Sequence, residues 1–284
     1  MISMSVKWTF RVRGFGSPVL LLHGYGGSPR HWESLSLCLE PHFQVTTLNL
    51  SHLYFADDVT SLEAQVHVLH QFVLSHFNEP VKLVGFSYGG ALAWAYKLLY
   101  PEAVSDLVLL NPLLPDPIKF FRSWELRLLF RLDLTVRKLG LILKSPVGNI
   151  YLRRLEDLFR FEGENPDSRL RKLSGRKMLL VINAILRFQS LVKSENWQKW
   201  LVRIHGRGTL AKSLLIYGDG DSLFEAKSYL SFVRVAGIEH TFKLEGKGHM
   251  APHQKPIELS KILHYYFRYS DSLNPNDESW QNLG

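Results

Sequence analysis

"VKLVGFSYGGALAWAY", residues 81–96, decides how the rest of the chain is read. An apolar run of strand character, 81–86, meets a serine set among small residues, and a helical pattern begins at once. The serine is either a small turn residue or a nucleophile held out on a bend. "GFSYG" (85–89) fits G-x-S-x-G in the strand–turn–helix context that gives this pattern chemical meaning. The reason is steric. A strand turning sharply into a helix strains the residue between them, which is tolerable only where the neighbours lack bulk. Gly85 and Gly89 give that clearance, and Ser87 is thrust outward. Amides at the start of the following helix point at the same spot and favour developing negative charge.

A serine hydroxyl is a weak nucleophile without a base. Of twelve histidines, His249 stands out in "EGKGHM" (245–250), on a glycine-flanked loop after the last expected strand. That loop lies at the same sheet edge as Ser87. His253 is the nearest rival, but it begins the final helix and should point elsewhere. His23, in "LLHGYGG", is read as a positioning residue. The base needs a carboxylate to fix its tautomer. "IYGDGDSLF" (216–224) offers Asp219 and Asp221. Asp221 is preferred, because the chain must clear the sheet edge before a side chain can turn back; its alternative role is a helix N-cap. The other acid position, after the strand ending near 110, holds Asn111, which cannot carry the charge. In "HGYGGS" (23–28), Gly24 and its neighbours free a backbone amide, that of Tyr25, to bind an oxyanion beside the amide of Tyr88. The loop lacks both G-x-G-x-x-G spacing and a Walker lysine, so a nucleotide cradle is not expected.

Outward from this set, strand patterns (6–13, 19–24, 43–50, 81–86, 104–111, 212–221, 239–246) alternate with helical ones (29–40, 60–77, 88–99, 223–236, 255–267). Thr60 with Glu63 reads as a capping box for the second helix. Such alternation means a parallel sheet with helices on both faces. The rhythm breaks between 113 and 210, a basic, Leu-rich stretch without a convincing strand, interrupted at Gly140, Pro146, Gly163 and Pro166. Charge marks the same boundary. From Leu113 to Lys212 there are 21 Lys/Arg against 9 Asp/Glu, net +12, whereas the remainder is net −4. Expected units are therefore a core (1–112 and 212–270), a helical insertion (113–211) and a loose polar tail (271–284).

No run reaches the roughly 18 apolar residues of a membrane-spanning helix. "MISMSVKWTF" lacks the pattern of a secretory leader, so a cytoplasmic protein is expected. A single cysteine, Cys38, allows no internal disulfide and no cysteine-rich metal site, and reads as a buried small hydrophobe.

On "HGYGG", "GFSYGG", "GDGD" and "GKGHM", the chain resembles the α/β-hydrolase superfamily over roughly 6–112 and 212–268. The resemblance implies an eight-stranded, mostly parallel sheet and a helical cap at 113–211. It also implies Ser87, Asp221 and His249 as nucleophile, acid and base. One departure stands out: family members usually carry D-x-x-G-x-G-x-S after the third core strand, and here the place reads "NLSHLYFADD" (49–58). Tyr54 and Phe55 either wall an acyl pocket or fill the gap left by the missing turn.

The expected function is a serine hydrolase that cleaves a carboxylic ester with an apolar acyl group, with no cofactor and no metal. Thioesterase, lysophospholipase, carbon–carbon bond hydrolase and acyltransferase use the same machinery and stay open; a dehalogenase would need a carboxylate at 87. A non-catalytic binding protein with this fold is the alternative of another class. The segment 126–144 joins eleven aliphatic or aromatic residues with five basic ones. It suits either a helix packed on the sheet or a surface for anionic lipid or an acyl carrier. No recognition helix or stacking platform for nucleic acid is visible.

Overall fold

The computed structural model describes residues 7–54, 56, 59–145, 175–207, 210, 212–246 and 248–273. Seven strands form one sheet in the order β1-β3-β2-β4-β5-β6-β7. They are β1 (Phe10–Arg13), β2 (Pro18–Leu22), β3 (Gln44–Leu48), β4 (Val81–Phe86), β5 (Val104–Leu110), β6 (Ser213–Gly218) and β7 (His240–Leu244). Only β1, at the edge, pairs antiparallel, Phe10 opposite Leu48; every other pair is parallel. The family resemblance implies eight strands. Seven are present among the described residues, and β1 is shorter than the alternation of 6–13 suggests.

The strand sequences explain the layering. In β2 every residue is buried, and neighbours feed opposite faces: Leu20 and Leu22 join one core cluster, Val19 and Leu21 the other. A strand buried on both faces must be apolar throughout, which is why "VLLL" and "LVLL" do not alternate. One face is covered by α1 (Glu33–Leu39), preceded by a single 3-10 turn (Pro29–Trp32), and by the closing helix Pro256–Tyr269. The other is covered by α2 (Ser51–Tyr54), α3 (Leu62–His76), α4 (Tyr88–Leu99) and the insertion.

Between β5 and β6 the described helices are α5 (Pro117–Phe120), α6 (Trp124–Arg131), α7 (Val136–Lys144), α8 (Gly175–Ser194) and α9 (Trp197–Arg207). α10 (Ala226–Ala236), α11 (Ala251–Gln254) and α12 (Pro256–Tyr269) complete the chain. α7 runs through Gly140, correcting the expected break: one glycine costs a helix only about 1 kcal/mol, which the buried Leu139 offsets. Pro146, Gly163 and Pro166 lie outside the described residues. So does most of the tail, although its first residue, Asp271, pairs with Lys212 (2.5 Å), next to Ser270, which donates to Asp106 (2.7 Å).

Two further expectations are corrected. The cap of α3 is Ser61, whose hydroxyl accepts from the Ala64 amide at 3.1 Å, and not Thr60. Glu63 turns outward instead, meeting Arg203 (2.8 Å) and Lys199 on α9. Opposed charges thereby tie the insertion to the core, and Glu195 adds a bond from the Leu62 amide at 2.7 Å. Cys38 is half-buried, not enclosed. Among the described residues no helix is long and apolar enough to cross a membrane, and no group of three or more His, Cys, Asp or Glu could hold a metal ion.

Candidate active site

β4 is the central strand, and the chain leaves its C-terminal end at Ser87 with φ 52° and ψ −117°. A non-glycine residue at positive φ is costly and persists only where the surroundings fix it. Here the Ser87 amide donates to the Leu110 carbonyl (3.0 Å), while the Ser87 carbonyl accepts from the amides of Gly90, Ala91 and Leu113. The clearance expected of the glycines is literal. A Cβ on Gly85 would run into the Gly89 carbonyl, and one on Gly89 into the carbonyls of Leu22 and His23. α4 therefore starts hard against the end of β2.

Ser87 Oγ lies 3.0 Å from His249 Nε2, and His249 Nδ1 lies 2.9 Å from Asp221 Oδ2. His249 and Asp221 are both buried. The ionised carboxylate can only accept, so the proton sits on Nδ1, and the Nε2 lone pair faces the serine hydroxyl. These three come from turns after β4, β6 and β7, all at the C-terminal edge of parallel strands. That edge is where open α/β sheets bind ligands.

The acid is held by more than its histidine. Oδ2 also accepts from Asn111 Nδ2 and from the Tyr229 hydroxyl, each at 2.6 Å. Oδ1 accepts from the amides of Leu223 (2.7 Å) and Phe224 (3.4 Å). Burial alone would raise the Asp221 pKa; the imidazole beside it, the Tyr229 hydroxyl and the Leu223 amide outweigh that and hold it below the usual carboxylate range. Asp219 is turned away, accepting from the Gly246 amide at 2.6 Å. Sequence reasoning set Asn111 aside because it has no charge, and it did not see Tyr229. No periodic signal separates a core tyrosine on α10 from one whose hydroxyl reaches a carboxylate; an asparagine directly after the apolar run 107–110 is the hint the sequence carries, and it takes the left-handed backbone (φ 40°) that this residue type tolerates.

On the opposite side, the loop after β2 approaches the serine. A Cβ on Gly24 would sit 3.2 Å from both the Phe86 ring and Ser87 Cβ, so glycine there lets the loop close in. His23 anchors that loop. Its Nε2 accepts from the Leu50 amide (3.0 Å), leaving Nδ1–H to donate to the Gly24 carbonyl (2.8 Å). Burial lowers its pKa to about 4, so the ring is neutral and both nitrogens are occupied. His253 packs behind the site against Trp32 and Phe86, with Nδ1 bonded to the His31 carbonyl (3.2 Å) and its pKa lowered to about 3 by burial.

The aromatic side chains around this loop divide their tasks. The Tyr88 hydroxyl donates into the core, to Gln65 Oε1 at 2.8 Å, so only its backbone remains near Ser87. Tyr54 is buried, and its hydroxyl donates to the His23 carbonyl (2.8 Å) while its ring stacks at 5.0 Å on Tyr25. It thus braces the loop across the place where the family's glycine turn is missing. Phe55 lies outside the described residues. Tyr25 stacks on Phe188 of α8 at 4.5 Å and donates to the Ala184 carbonyl at 3.1 Å, which locks the loop to the insertion.

Comparison with known proteins agrees with this architecture. The family model for the alpha/beta hydrolase fold matches residues 17–256, and the chain belongs to that family. An uncharacterized protein of Mycobacterium tuberculosis is 23% identical, covering 94% of this chain and 79% of that one. Human monoacylglycerol lipase ABHD6 is 33% identical over 113 residues, covering 37% of this chain and 33% of its own. Among solved structures, a membrane phospholipase A described as a bacterial virulence factor superposes with a TM-score of 0.67 at 19% identity, covering 94% of this chain and 84% of that one.

Proposed function

We propose that the protein is a serine hydrolase of carboxylic esters with an apolar acyl group. The observation that carries this reading is the unbroken contact line from Ser87 Oγ through the His249 ring to a buried, multiply bonded Asp221. Ser87 attacks the ester carbonyl as His249 Nε2 takes the hydroxyl proton, and Asp221 stabilises the imidazolium that forms. The backbone amides of Tyr25 and Tyr88 hold the oxyanion of the tetrahedral intermediate. His249 then gives its proton to the departing alcohol. Water, deprotonated by the same ring, attacks the acyl-enzyme and releases the acid and Ser87.

Support for an ester comes from the lipase relative and from the aromatic contacts of the loop beside Ser87, where Tyr25 stacks on Phe188 and Phe188 meets Phe130 of the helical insertion. In this reading 113–211 is a cap that closes over the acyl group. The test is labelling with a fluorophosphonate, followed by hydrolysis of p-nitrophenyl esters of increasing chain length. Labelling of the wild type and none of Ser87→Ala is expected, with activity rising beyond the shortest esters. A folded wild type that neither labels nor hydrolyses any of them would leave a non-catalytic binding protein as the better reading.

A further inference from the structure

We propose that the outer face of α6 and α7 is a docking surface for an anionic lipid bilayer. α6 is two-sided: Leu126, Leu129 and Phe130 are buried, while Trp124 is 67% exposed and Leu128 42%. Beyond the helix, Leu132 and Val136 are exposed as well, and so is Leu141 on α7. A tryptophan and a run of aliphatic side chains left in water are a standing cost that a packed core would normally remove.

The charges beside this face match an acidic surface. Arg131, Arg137 and Lys138 are all exposed. Of the two acids in the stretch, Asp133 is paired with Lys193 (2.5 Å), and Glu125 is bonded to the Ser123 hydroxyl. Apolar residues led by tryptophan, flanked by arginine and lysine on a helix of low overall hydrophobicity, describe an element that lies in the headgroup region of a membrane. A soluble acidic protein would satisfy the arginines but would give the row of leucines no acyl phase to enter. The apolar half therefore decides for the bilayer.

The inner face of the same helix leads to the candidate site. Phe130 contacts Phe188 with ring centroids 5.7 Å apart, and Phe188 stacks on Tyr25, the residue behind Gly24 and Ser87. A bilayer held at Trp124 would thus be joined to the loop beside the nucleophile by a short chain of ring contacts. The substrate class that follows is an ester of a membrane-resident lipid; this second step rests on the hydrolase reading above, whereas the docking itself does not.

The test is co-sedimentation of the full chain with vesicles of phosphatidylcholine alone and of phosphatidylcholine with phosphatidylglycerol, at low and high salt. Binding to the anionic vesicles at low salt is expected. Neutralising three charges, Arg131→Gln, Arg137→Gln and Lys138→Gln together, should weaken it on the order of a hundredfold, from about 1 kcal/mol per basic residue at such a surface. Trp124→Ser with Leu128→Ser should weaken it at least about tenfold even at low salt, since insertion and not charge is lost. All five residues are exposed, so the melting temperatures of both variants should match the wild type. Three outcomes overturn the proposal: no binding by the wild type, equal binding by the variants, or a wild-type dimer that the Trp124 and Leu128 changes split. Capture by an acidic acyl carrier protein through these residues, without vesicle binding, does the same. If vesicles bind but fluorophosphonate does not label, the hydrolase reading fails and the docking stands.

Discussion

The sheet and the helical insertion solve the burial problem in opposite ways. Every side chain of β2 is enclosed, because both faces of the strand meet a layer of helices. In α6 three of the five apolar residues are enclosed, and Trp124 and Leu128 face water. Charge divides along the same line, with net +12 from Leu113 to Lys212 and −4 elsewhere. The sheet keeps three side chains from distant turns within hydrogen-bonding distance, and such accuracy needs a rigid, fully packed base. The insertion meets that site through a few rings, the Arg122 contacts to the Asp221 turn and the Tyr25 bond to Ala184, and it turns other side chains of α6 and α7 to water.

Several measurements can break or sharpen this contrast. The largest effect belongs to the sheet edge. Asp221→Asn should lower kcat/KM for an ester by roughly 10³–10⁴-fold by allowing the wrong histidine tautomer, while Asp219→Asn stays within about twofold. Equal losses at the two positions would remove the assignment of Asp221. In stability, Leu21→Ala on β2 should cost about 3–4 kcal/mol by opening a cavity in a closed core, and Leu141→Ala on α7 less than about 0.5 kcal/mol by urea titration.

The pH response should also come from the core. His23 and His253 have folded pKa values of about 4 and about 3, below the ordinary 6.5, so the unfolded chain takes up protons first. Their contribution is complete above pH 6.5 and is lost as pH falls toward 4 for His23 and toward 3 for His253. For His23 the loss reaches about 3 kcal/mol at the lower end. A melting temperature that stays flat across this range would contradict the neutral, fully bonded ring of His23. Asp221, lowered as well, adds a further loss only below the ordinary carboxylate range. The smallest effect concerns Tyr229. Tyr229→Phe leaves Asp221 with more charge to offer His249 and should shift the acidic limb of the kcat/KM profile upward by about half a unit, with a loss of roughly tenfold or less. A drop in activity with no movement of that limb would reduce Tyr229 to a packing residue.

How legible each region was follows from the same physics. β2 and the later parts of β4 (83–86) and β5 (107–110) are apolar runs that end at glycine or polar residues, and α4 begins at Tyr88 and ends before Pro101 as its pattern indicates. Ser87, His249 and Asp221 were readable because strand ends in a parallel sheet share one edge, so sequence position implies spatial neighbourhood. What could not be read depends on contacts between elements. The Tyr229 hydroxyl and the Asn111 amide reach Asp221 only once β5, β6 and α10 are assembled. Glu63 was read as a local capping partner, yet it answers to Lys199 and Arg203, more than 130 positions later. In the insertion the signal was weaker still, because helical segments of similar Leu-rich, basic pattern carry nothing that fixes their order in space; Gly140, read as a break, is simply part of α7.

Where the chain leaves the core for the insertion, Phe121 bridges antiparallel to Phe224, the Arg122 amide donates to the Leu223 carbonyl (2.6 Å), and the Arg122 guanidinium reaches the Asp221 carbonyl (3.1 Å). The seam between the two units is therefore stitched to the turn that carries the acid. Anyone replacing the insertion on this scaffold would have to splice beyond residue 123, since an earlier junction would unpick the turn that holds Asp221.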